Sequence, residues 1–274
     1  MLGFSGIFVR WANAPGPVTS FYRMVIATAL ATPAFLRKLR SVRPLPARGV
    51  FFAVLGGVFF AGDLSAWASG VMLSGATNPT LLANTAPLWV GLGSLLLFRE
   101  KLNRRFWLGL LLAMGGAILV LGMDALRETT IGLGTLLGLV AGFFYGGYIL
   151  ITQRGRETLD LLTYFWISAA SSSVCLLLLA MVLRLPLSGY SSTTYLNFLA
   201  MGLITQVIGY MAINYALGHL PSTLVSPTLL GQPVVTSLLA LPLLGEALQT
   251  WQILGGAAVL LGVYLVHRSR SKPS

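Results

Sequence analysis

The sequence has few charged residues, one cysteine and two histidines. Of its 274 residues only 9% are charged, 18 of them basic and 7 acidic, whereas roughly a quarter of the residues in a soluble domain are charged. The single cysteine, Cys175, excludes an intramolecular disulfide and a thiolate metal cluster, and His219 and His267 lack metal-ligand spacing. We therefore expect no ordinary soluble domain, no bound metal and no cofactor.

Motifs of enzymes and of nucleic-acid-binding proteins are missing as well. There is no HExxH zinc motif, no Gly-x-Ser-x-Gly nucleophile elbow and no pair of carboxylates within an apolar run. The net charge of +11 comes from basic residues in short gaps between apolar runs, not from a basic segment interleaved with aromatic residues. We expect neither an enzyme nor a nucleic-acid-binding protein.

The chain consists mainly of long apolar runs. Hydrophobic residues make up 56% of it and its mean hydropathy is +0.82, and about 20 apolar residues cross the ~30 Å hydrocarbon core of a membrane. The pattern predicts an all-α polytopic membrane protein with ten transmembrane helices. The runs are Met1–Asn13, Pro17–Leu36, Gly49–Leu73, Asn78–Phe98, Phe106–Met123, Ile131–Thr152, Leu161–Leu183, Tyr195–Leu217, Ser222–Leu244 and Thr250–Val266.

The first of these runs is too short to span. Before the break at Ala14 and Pro15 it has about 13 residues, which reach only ~20 Å as a helix. We expect the first helix to be truncated, with its true start upstream of Met1. The alternative is a half-helix, which would leave the packing of one half of the molecule incomplete.

Loop charges predict the orientation of the helices. Basic residues concentrate after the second run, after the fourth run and in the C-terminal tail, and loops rich in Lys and Arg lie on the cytoplasmic side. An even number of helices then places both termini in the cytoplasm, and we expect the inner membrane of a bacterium. The residues are Arg37, Lys38, Arg40, Arg43, Arg48, then Arg99, Lys101, Arg104, Arg105, and finally Arg268, Arg270, Lys272.

One passage of the sequence occurs twice, 146 positions apart. A duplicated unit with an odd number of helices inserts upside down the second time, and inverted repeats are typical of secondary transporters. We expect two inverted five-helix repeats, residues 1–125 and 126–274, with Glu100 at the inner surface and Glu246 at the outer one. Thr80, Pro87, Glu100, Leu102, Gly109 and Gly116 correspond to Ser226, Pro233, Glu246, Leu248, Gly255 and Gly262.

Prolines and glycines indicate how the helices bend and pack. Pro87 and Pro233 lie near the middle of the fourth and ninth runs and predict matching kinks, whose freed carbonyl groups either bond to neighbouring helices or face a cavity. The sixth run has a glycine at every fourth position, which predicts close packing of another helix, with a track for sliding helices as the alternative. These glycines are Gly134, Gly138, Gly142 and Gly146.

Asp63 is the one acidic residue well inside a predicted span. A carboxylate at that depth costs roughly 2.5 to 3.5 kcal/mol on insertion scales, so it needs a partner or a water-filled cavity. Two interpretations stay open: an ion pair with Arg23 or Arg10, or a group that binds protons or a cationic substrate. Trp67, one helical turn further on, either stacks on an organic cation or packs.

Further polar groups within predicted spans are candidates for a cavity lining. Gln206, Tyr210 and Asn214 form one polar stripe along the eighth run, which either hydrogen-bonds across helices or lines a cavity. The other candidates are Asn84 and Gln232 near the two kinks, Tyr145 and Tyr148 in the sixth run, and Trp166 in the seventh.

Short motifs near the N-terminus and directly after the fourth and ninth runs resemble a known family. Ser5–Ala12 and Phe21–Met24, the latter containing Tyr22 and Arg23, look like the first hairpin of the EamA-type branch of the drug/metabolite transporter superfamily. Glu100-Lys101-Leu102 and Glu246-Ala247-Leu248 resemble the ends of that family's fourth and ninth helices. The sequence departs from the family at its short first helix.

The resemblance implies a ten-helix inverted-repeat fold with a central cavity, no nucleotide hydrolysis, and movement of small organic metabolites, often outward. We therefore expect a secondary transporter that exports amino acids, related metabolites or organic cations by alternating access, with protons as the candidate coupling ion. The alternative is a non-transporting membrane scaffold or lipid-interacting protein, whose interior would be dry and fully paired. The sequence does not specify the substrate or the oligomeric state.

Overall fold

The computed structural model describes residues 5–39, 44–75, 77–121, 132–244 and 249–269, and every regular element in these ranges is a helix. Lipid offers no hydrogen bonds, so a chain this apolar satisfies its backbone groups within each helix. The α-helices are α1 (Ser5–Ala12), α2 (Gly16–Leu39), α3 (Ala47–Ser74), α4 (Thr77–Ala83), α5 (Ala86–Leu97), α6 (Arg104–Leu121), α7 (Leu133–Arg156), α8 (Leu161–Val182), α9 (Ser192–Ala200), α10 (Met211–Leu217), α11 (Ser222–Thr228), α12 (Gln232–Leu244) and α13 (Thr250–Ser269).

Seven described helical stretches are long and apolar enough to cross a membrane. They coincide with seven of the ten predicted runs, which confirms an all-helical, multi-pass membrane protein. The other three runs contain α1, α2 and the pair α11–α12, and their spanning of the membrane stays a prediction. The seven stretches are Ala47–Ser74, Thr77–Leu97, Arg104–Leu121, Leu133–Arg156, Leu161–Val182, Ser192–Leu217 and Thr250–Ser269.

The fourth and ninth runs are interrupted at corresponding positions. α4 ends at Ala83 and α5 begins at Ala86, so that Pro87 lies in the first turn of a new helix. In the ninth run a 3₁₀ turn follows α11, and α12 begins at Gln232 with Pro233 as its second residue. Proline is tolerated in a first turn, where its missing N–H would have no partner within the helix. The two breaks are 146 residues apart.

α6 and α13 pack backbone to backbone in opposite directions. A Cβ atom on Gly109 would lie 2.7 Å from the carbonyl oxygen of Gly262, and one on Gly116 would lie 2.5 Å from that of Gly255. These four residues are the glycines that the two sequence repeats share. Gly109 therefore faces the repeat counterpart of Gly116, and Gly116 faces the repeat counterpart of Gly109. No residue larger than glycine fits at this distance.

The glycine face of α7 also contacts other helices closely. A Cβ on Gly138 would lie 2.6 Å from Pro79, and one on Gly142 would lie 2.5 Å from the hydroxyl oxygen of Thr85. α7 consequently lies against α4 and the break that follows it, as the packing interpretation predicts.

Loop contacts join the two halves at one end of the molecule. Lys38, at the end of α2, forms an ion pair with Asp160 (2.7 Å), and Asn103, before α6, donates a hydrogen bond to the carbonyl oxygen of Ser269 (2.9 Å). Asp160 also caps α8. Burial acts to raise the pKa of its carboxyl, but its bonds to Lys38 and Thr163 outweigh burial and hold the pKa below the usual value. The loops predicted to be cytoplasmic therefore lie together.

Several predicted features fall outside the described residues. They are the Glu246-Ala247-Leu248 motif with its predicted outer surface, the boundary between residues 125 and 126, the side chain of Arg10, and the loop residues Arg40, Arg43, Arg270 and Lys272.

Replacing Gly116 with alanine is expected to lower the stability of the fold. The new methyl group would overlap the Gly255 carbonyl oxygen, and a backbone atom cannot turn aside, so we expect a loss of about 1–3 kcal/mol. Gly115→Ala is the matched control, since nothing lies within 4 Å of a Cβ there. Thermal unfolding of both variants in one detergent measures the difference, and equal melting temperatures would contradict the contact.

Candidate functional site

A cavity of about 90 Å³ opens between the second half of α3, α4 and the helices that face them. It lies toward the end of the molecule where α3 ends and α4 begins, away from the Lys38–Asp160 ion pair. Leu64, Thr80 and Ala83 contribute to its wall. Seven of the residues predicted from the sequence also line it: Arg23, Asp63, Trp67, Asn84, Tyr145, Tyr210 and Gln232.

Arg23 brings a buried guanidinium to the cavity. Its residue is only 2% exposed, and its Nε donates a hydrogen bond to Oε1 of Gln206 (3.0 Å). The guanidinium carbon lies 5.2 Å from the centre of the Tyr210 ring, within the range of a cation–π contact. The Nη2 nitrogen is buried and has no hydrogen-bond partner. One side of this cation is thus held in place while another side is unsatisfied.

Asp63 brings a carboxylate of opposite charge to the same cavity. The residue is 6% exposed, and within the described ranges its carboxylate has neither a hydrogen bond nor a close ion pair. Arg23 lines the same cavity, but among the described residues the two side chains do not form the direct ion pair that one interpretation of the sequence proposed. A buried carboxylate without a partner is costly.

Aromatic and amide side chains surround these two charges. Trp67 donates its indole N–H to the hydroxyl of Thr80 (3.1 Å), which fixes its ring at the wall. The rings of Tyr145 and Tyr210 meet edge to face, with centroids 6.2 Å apart. The Nδ2 nitrogen of Asn84 is buried without a partner. The site therefore combines both signs of charge with flat apolar surfaces.

The residues of the predicted polar stripe contact two different partners, Arg23 and Tyr148. The stripe runs through a π-helix, Met201–Tyr210, and continues into α10. Gln206 and Tyr210 contact Arg23, whereas Asn214 accepts a hydrogen bond from the hydroxyl of Tyr148 (2.7 Å), outside the cavity. All three stripe residues are buried, as expected of polar groups that avoid lipid.

Tyr22 and Trp166 lie away from the cavity. The hydroxyl of Tyr22 donates to the carbonyl oxygen of Leu187 (2.7 Å), and its ring stacks on Phe198. Trp166 donates to the hydroxyl of Thr32 (2.9 Å) and stacks on Phe35. Both side chains pack against neighbouring helices instead of lining the cavity. Their residue type and position in the sequence did not indicate this role.

Two further polar contacts lie at the end of the molecule opposite the cavity, and the sequence did not predict them. Oε1 of Gln153, near the end of α7, accepts a hydrogen bond from the backbone N–H of Ser222 (2.7 Å). The hydroxyl of the next residue, Thr223, donates to Oε2 of Glu100 (3.1 Å). The two bonds hold the start of α11 against α7 and the segment after α5. Glu100 could have been found from its place in the repeat, but Gln153 carries no such signal.

Comparison with known proteins identifies the family of this arrangement. The model of the EamA-like transporter family matches residues 1–122 and again residues 132–268. The chain belongs to the EamA-like transporter family. The predicted resemblance is confirmed, and the EamA-like protein is a multi-pass membrane transporter. The two successive matches correspond to the two halves that the sequence repeat suggests.

Individual relatives of this EamA-like transporter match most of the chain. A protein of Archaeoglobus fulgidus titled "Uncharacterized transporter" is 25% identical over 258 residues, which is 90% of this chain and 86% of that protein. An uncharacterized protein of Pseudomonas aeruginosa is 29% identical over 257 residues, 92% and 86% of the two chains. A crystal structure whose title gives no function has the same fold, with a TM-score of 0.72, 19% identity and coverage of 99% and 98%.

Replacing Tyr148 with phenylalanine is expected to destabilise the transporter by about 1–3 kcal/mol. The change removes the donor to Oδ1 of Asn214 and leaves that amide, whose Nδ2 already has no partner, wholly unsatisfied in a buried position. Tyr215→Phe serves as the control, because Tyr215 is 56% exposed. If thermal unfolding shows the same loss of stability for both variants, the hydrogen bond between Tyr148 and Asn214 does not stabilise the fold.

Proposed function

We propose that this EamA-like protein is a secondary transporter that exports small organic metabolites across the bacterial inner membrane by alternating access. The observation that carries the proposal is a cavity in which the Nη2 of Arg23 has no partner and the Asp63 carboxylate has none among the described residues. A solute that supplies the missing groups offsets the cost of these two buried charges. A dry scaffold, the alternative function, would not retain such unsatisfied charges.

The pair of charges favours zwitterions such as amino acids among the metabolites that the family suggests. A carboxylate would accept hydrogen bonds from Nη2 of Arg23, and an ammonium group would donate to Asp63. The faces of Trp67 and Tyr145 would contact the rest of the solute. A purely cationic solute would satisfy Asp63 and leave Arg23 unpaired.

We propose protons as the coupling ion, with Asp63 as the group that binds them. A carboxylate that holds an ammonium group cannot be protonated at the same time, so solute and proton compete for it. Exchange of an outgoing solute for an incoming proton follows from this competition.

The fold we propose has ten helices in two inverted repeats, residues 1–125 and 126–274, with both termini in the cytoplasm. The reciprocal glycine contacts of α6 and α13, the matching breaks in the fourth and ninth runs, and the two family matches support it. With this orientation the cavity faces outward. The hydrogen bonds that Ser222 donates to Gln153 and Thr223 donates to Glu100 form the inner closure.

Transport by the purified protein in proteoliposomes tests the function. We expect a panel of amino acids to include solutes that move faster than in empty vesicles, and we expect a proton gradient to drive them. The methyl ester and the N-acetyl derivative of a transported amino acid each lose one charge, so both should bind about 10- to 100-fold more weakly. Absence of any transported solute would refute the function.

Substitutions of Asp63 and of Arg23 distinguish the roles of the two charged side chains. Asp63→Asn should abolish the proton dependence, and Arg23→Gln should abolish discrimination against the methyl ester. Asp160→Asn and Arg184→Gln are the matched controls, because both residues lie outside the cavity and asparagine caps a helix as well as aspartate does. Retention of both properties in the two cavity variants would contradict the proposed roles.

Weakening the inner closure is expected to expose the middle of α11. Gln153→Ala combined with Thr223→Val removes two hydrogen bonds of about 1 kcal/mol each, enough for a several-fold shift toward the open state. Ser226 is buried in α11, and in the double variant the thiol introduced by a Ser226→Cys substitution then reacts faster with a membrane-impermeant maleimide applied from the cytoplasmic side.

The labelling is done in a Cys175→Ala background, so that the new cysteine is the only thiol in the chain. Thr236→Val is the control, since the Thr236 hydroxyl bonds only within its own helix. Unchanged labelling in the double variant, or equal acceleration in the control, would contradict the closure.

A further inference from the structure

Three arginines meet where α6 begins and α13 ends. Arg104 and Arg105 are the first two residues of α6, and Arg268 is in the last turn of α13. Together with Asn103 and Ser269, whose hydrogen bond joins the two helix ends, they line an open cavity of about 320 Å³. Membrane topology alone requires basic residues on this side. It does not require that two distant parts of the chain bring these residues to one cavity.

No anion among the described residues neutralises this cluster. Within the part of the chain that the structure describes, none of the three guanidiniums has a hydrogen bond or an ion pair, and the first turn of α6 has no acidic residue. The exposed N–H groups at the start of a helix add positive potential where Arg104 and Arg105 stand. The guanidinium carbon of Arg268 lies 5.5 Å from the centre of the Tyr264 ring. The cavity therefore attracts anions.

Apolar stripes lead from the arginines into the membrane. Leu108 and Leu111 follow Arg104 at helical spacing on α6, and Tyr264 and Leu261 precede Arg268 at the same spacing on α13. All four side chains are more than half exposed, and α6 and α13 lie side by side through their glycine contacts. An occupant that fits both features has an anionic group joined to long apolar chains.

We propose that this cavity binds an anionic phospholipid. Its phosphodiester lies among Arg104, Arg105 and Arg268, and its acyl chains lie along the two apolar stripes. Each arginine near an anionic membrane surface contributes to lipid affinity, and guanidiniums bind phosphate oxygens in pairs. The site is separate from the transport cavity and would hold together the ends of the α6–α13 pair.

The test is native mass spectrometry of the delipidated, purified full chain with phosphatidylglycerol and, separately, phosphatidylcholine of the same acyl chains. We expect at least about tenfold preference for phosphatidylglycerol. The triple variant Arg104→Gln, Arg105→Gln, Arg268→Gln should lose the preference. The triple variant Arg37→Gln, Arg48→Gln, Arg184→Gln, which removes the same charge elsewhere, should keep it.

Two further measurements keep the proposal open to refutation if the first triple variant does not fold. Arg268→Lys should retain the preference for phosphatidylglycerol, and inorganic phosphate should displace the lipid no better than sodium chloride of equal ionic strength. Equal binding of both lipids by the native chain would overturn the proposal. Loss of preference in the control variant would overturn it too, and specific displacement by phosphate would indicate a free-anion site instead.

Discussion

Hydrocarbon offers no hydrogen bonds, and this constraint governs where the chain can place its polar atoms. Backbone groups of the described residues are satisfied by helices, and most buried hydroxyls bond to a carbonyl oxygen, as Ser20 does to that of Leu64 (3.0 Å). The Nη2 nitrogen of Arg23 is buried without a partner, and the carboxylate of Asp63 has no close ion pair among the described residues. Each leaves a cost that a bound solute would offset, which is why the proposed function rests on these two residues.

The sequence repeat includes the packing glycines but not the cavity residues Asp63 and Trp67. The glycines of α6 and α13 repeat at an interval of 146, whereas the positions equivalent to Asp63 and Trp67 are Gly209 and Ile213. α3 and the π-helix nevertheless meet at the cavity, where Asp63 faces Tyr210. The cavity lining is thus asymmetric with respect to the sequence repeat, as the proposed substrate with two different charged ends would require.

The sequence was sufficient to predict the helices and most of the cavity lining, because burial of polar residues in lipid is costly enough to leave a pattern. Seven of the twelve predicted residues line the cavity. The position of Tyr22 and Trp166 could not be predicted, since a buried aromatic residue with a polar atom suits a helix contact as well as a cavity. The π-helix could not be predicted either, as its wider turn leaves no mark in the pattern of apolar residues.

The contact between α6 and α13 has the form of an isologous interface, in which residue i meets j and the counterpart of j meets the counterpart of i. Gly109 with Gly262 and Gly116 with Gly255 satisfy that relation. Two identical half-length chains in opposite orientations would make the same contact about a two-fold axis. In such a homodimer one substitution changes both contacts at once, whereas the fused chain can alter each contact independently.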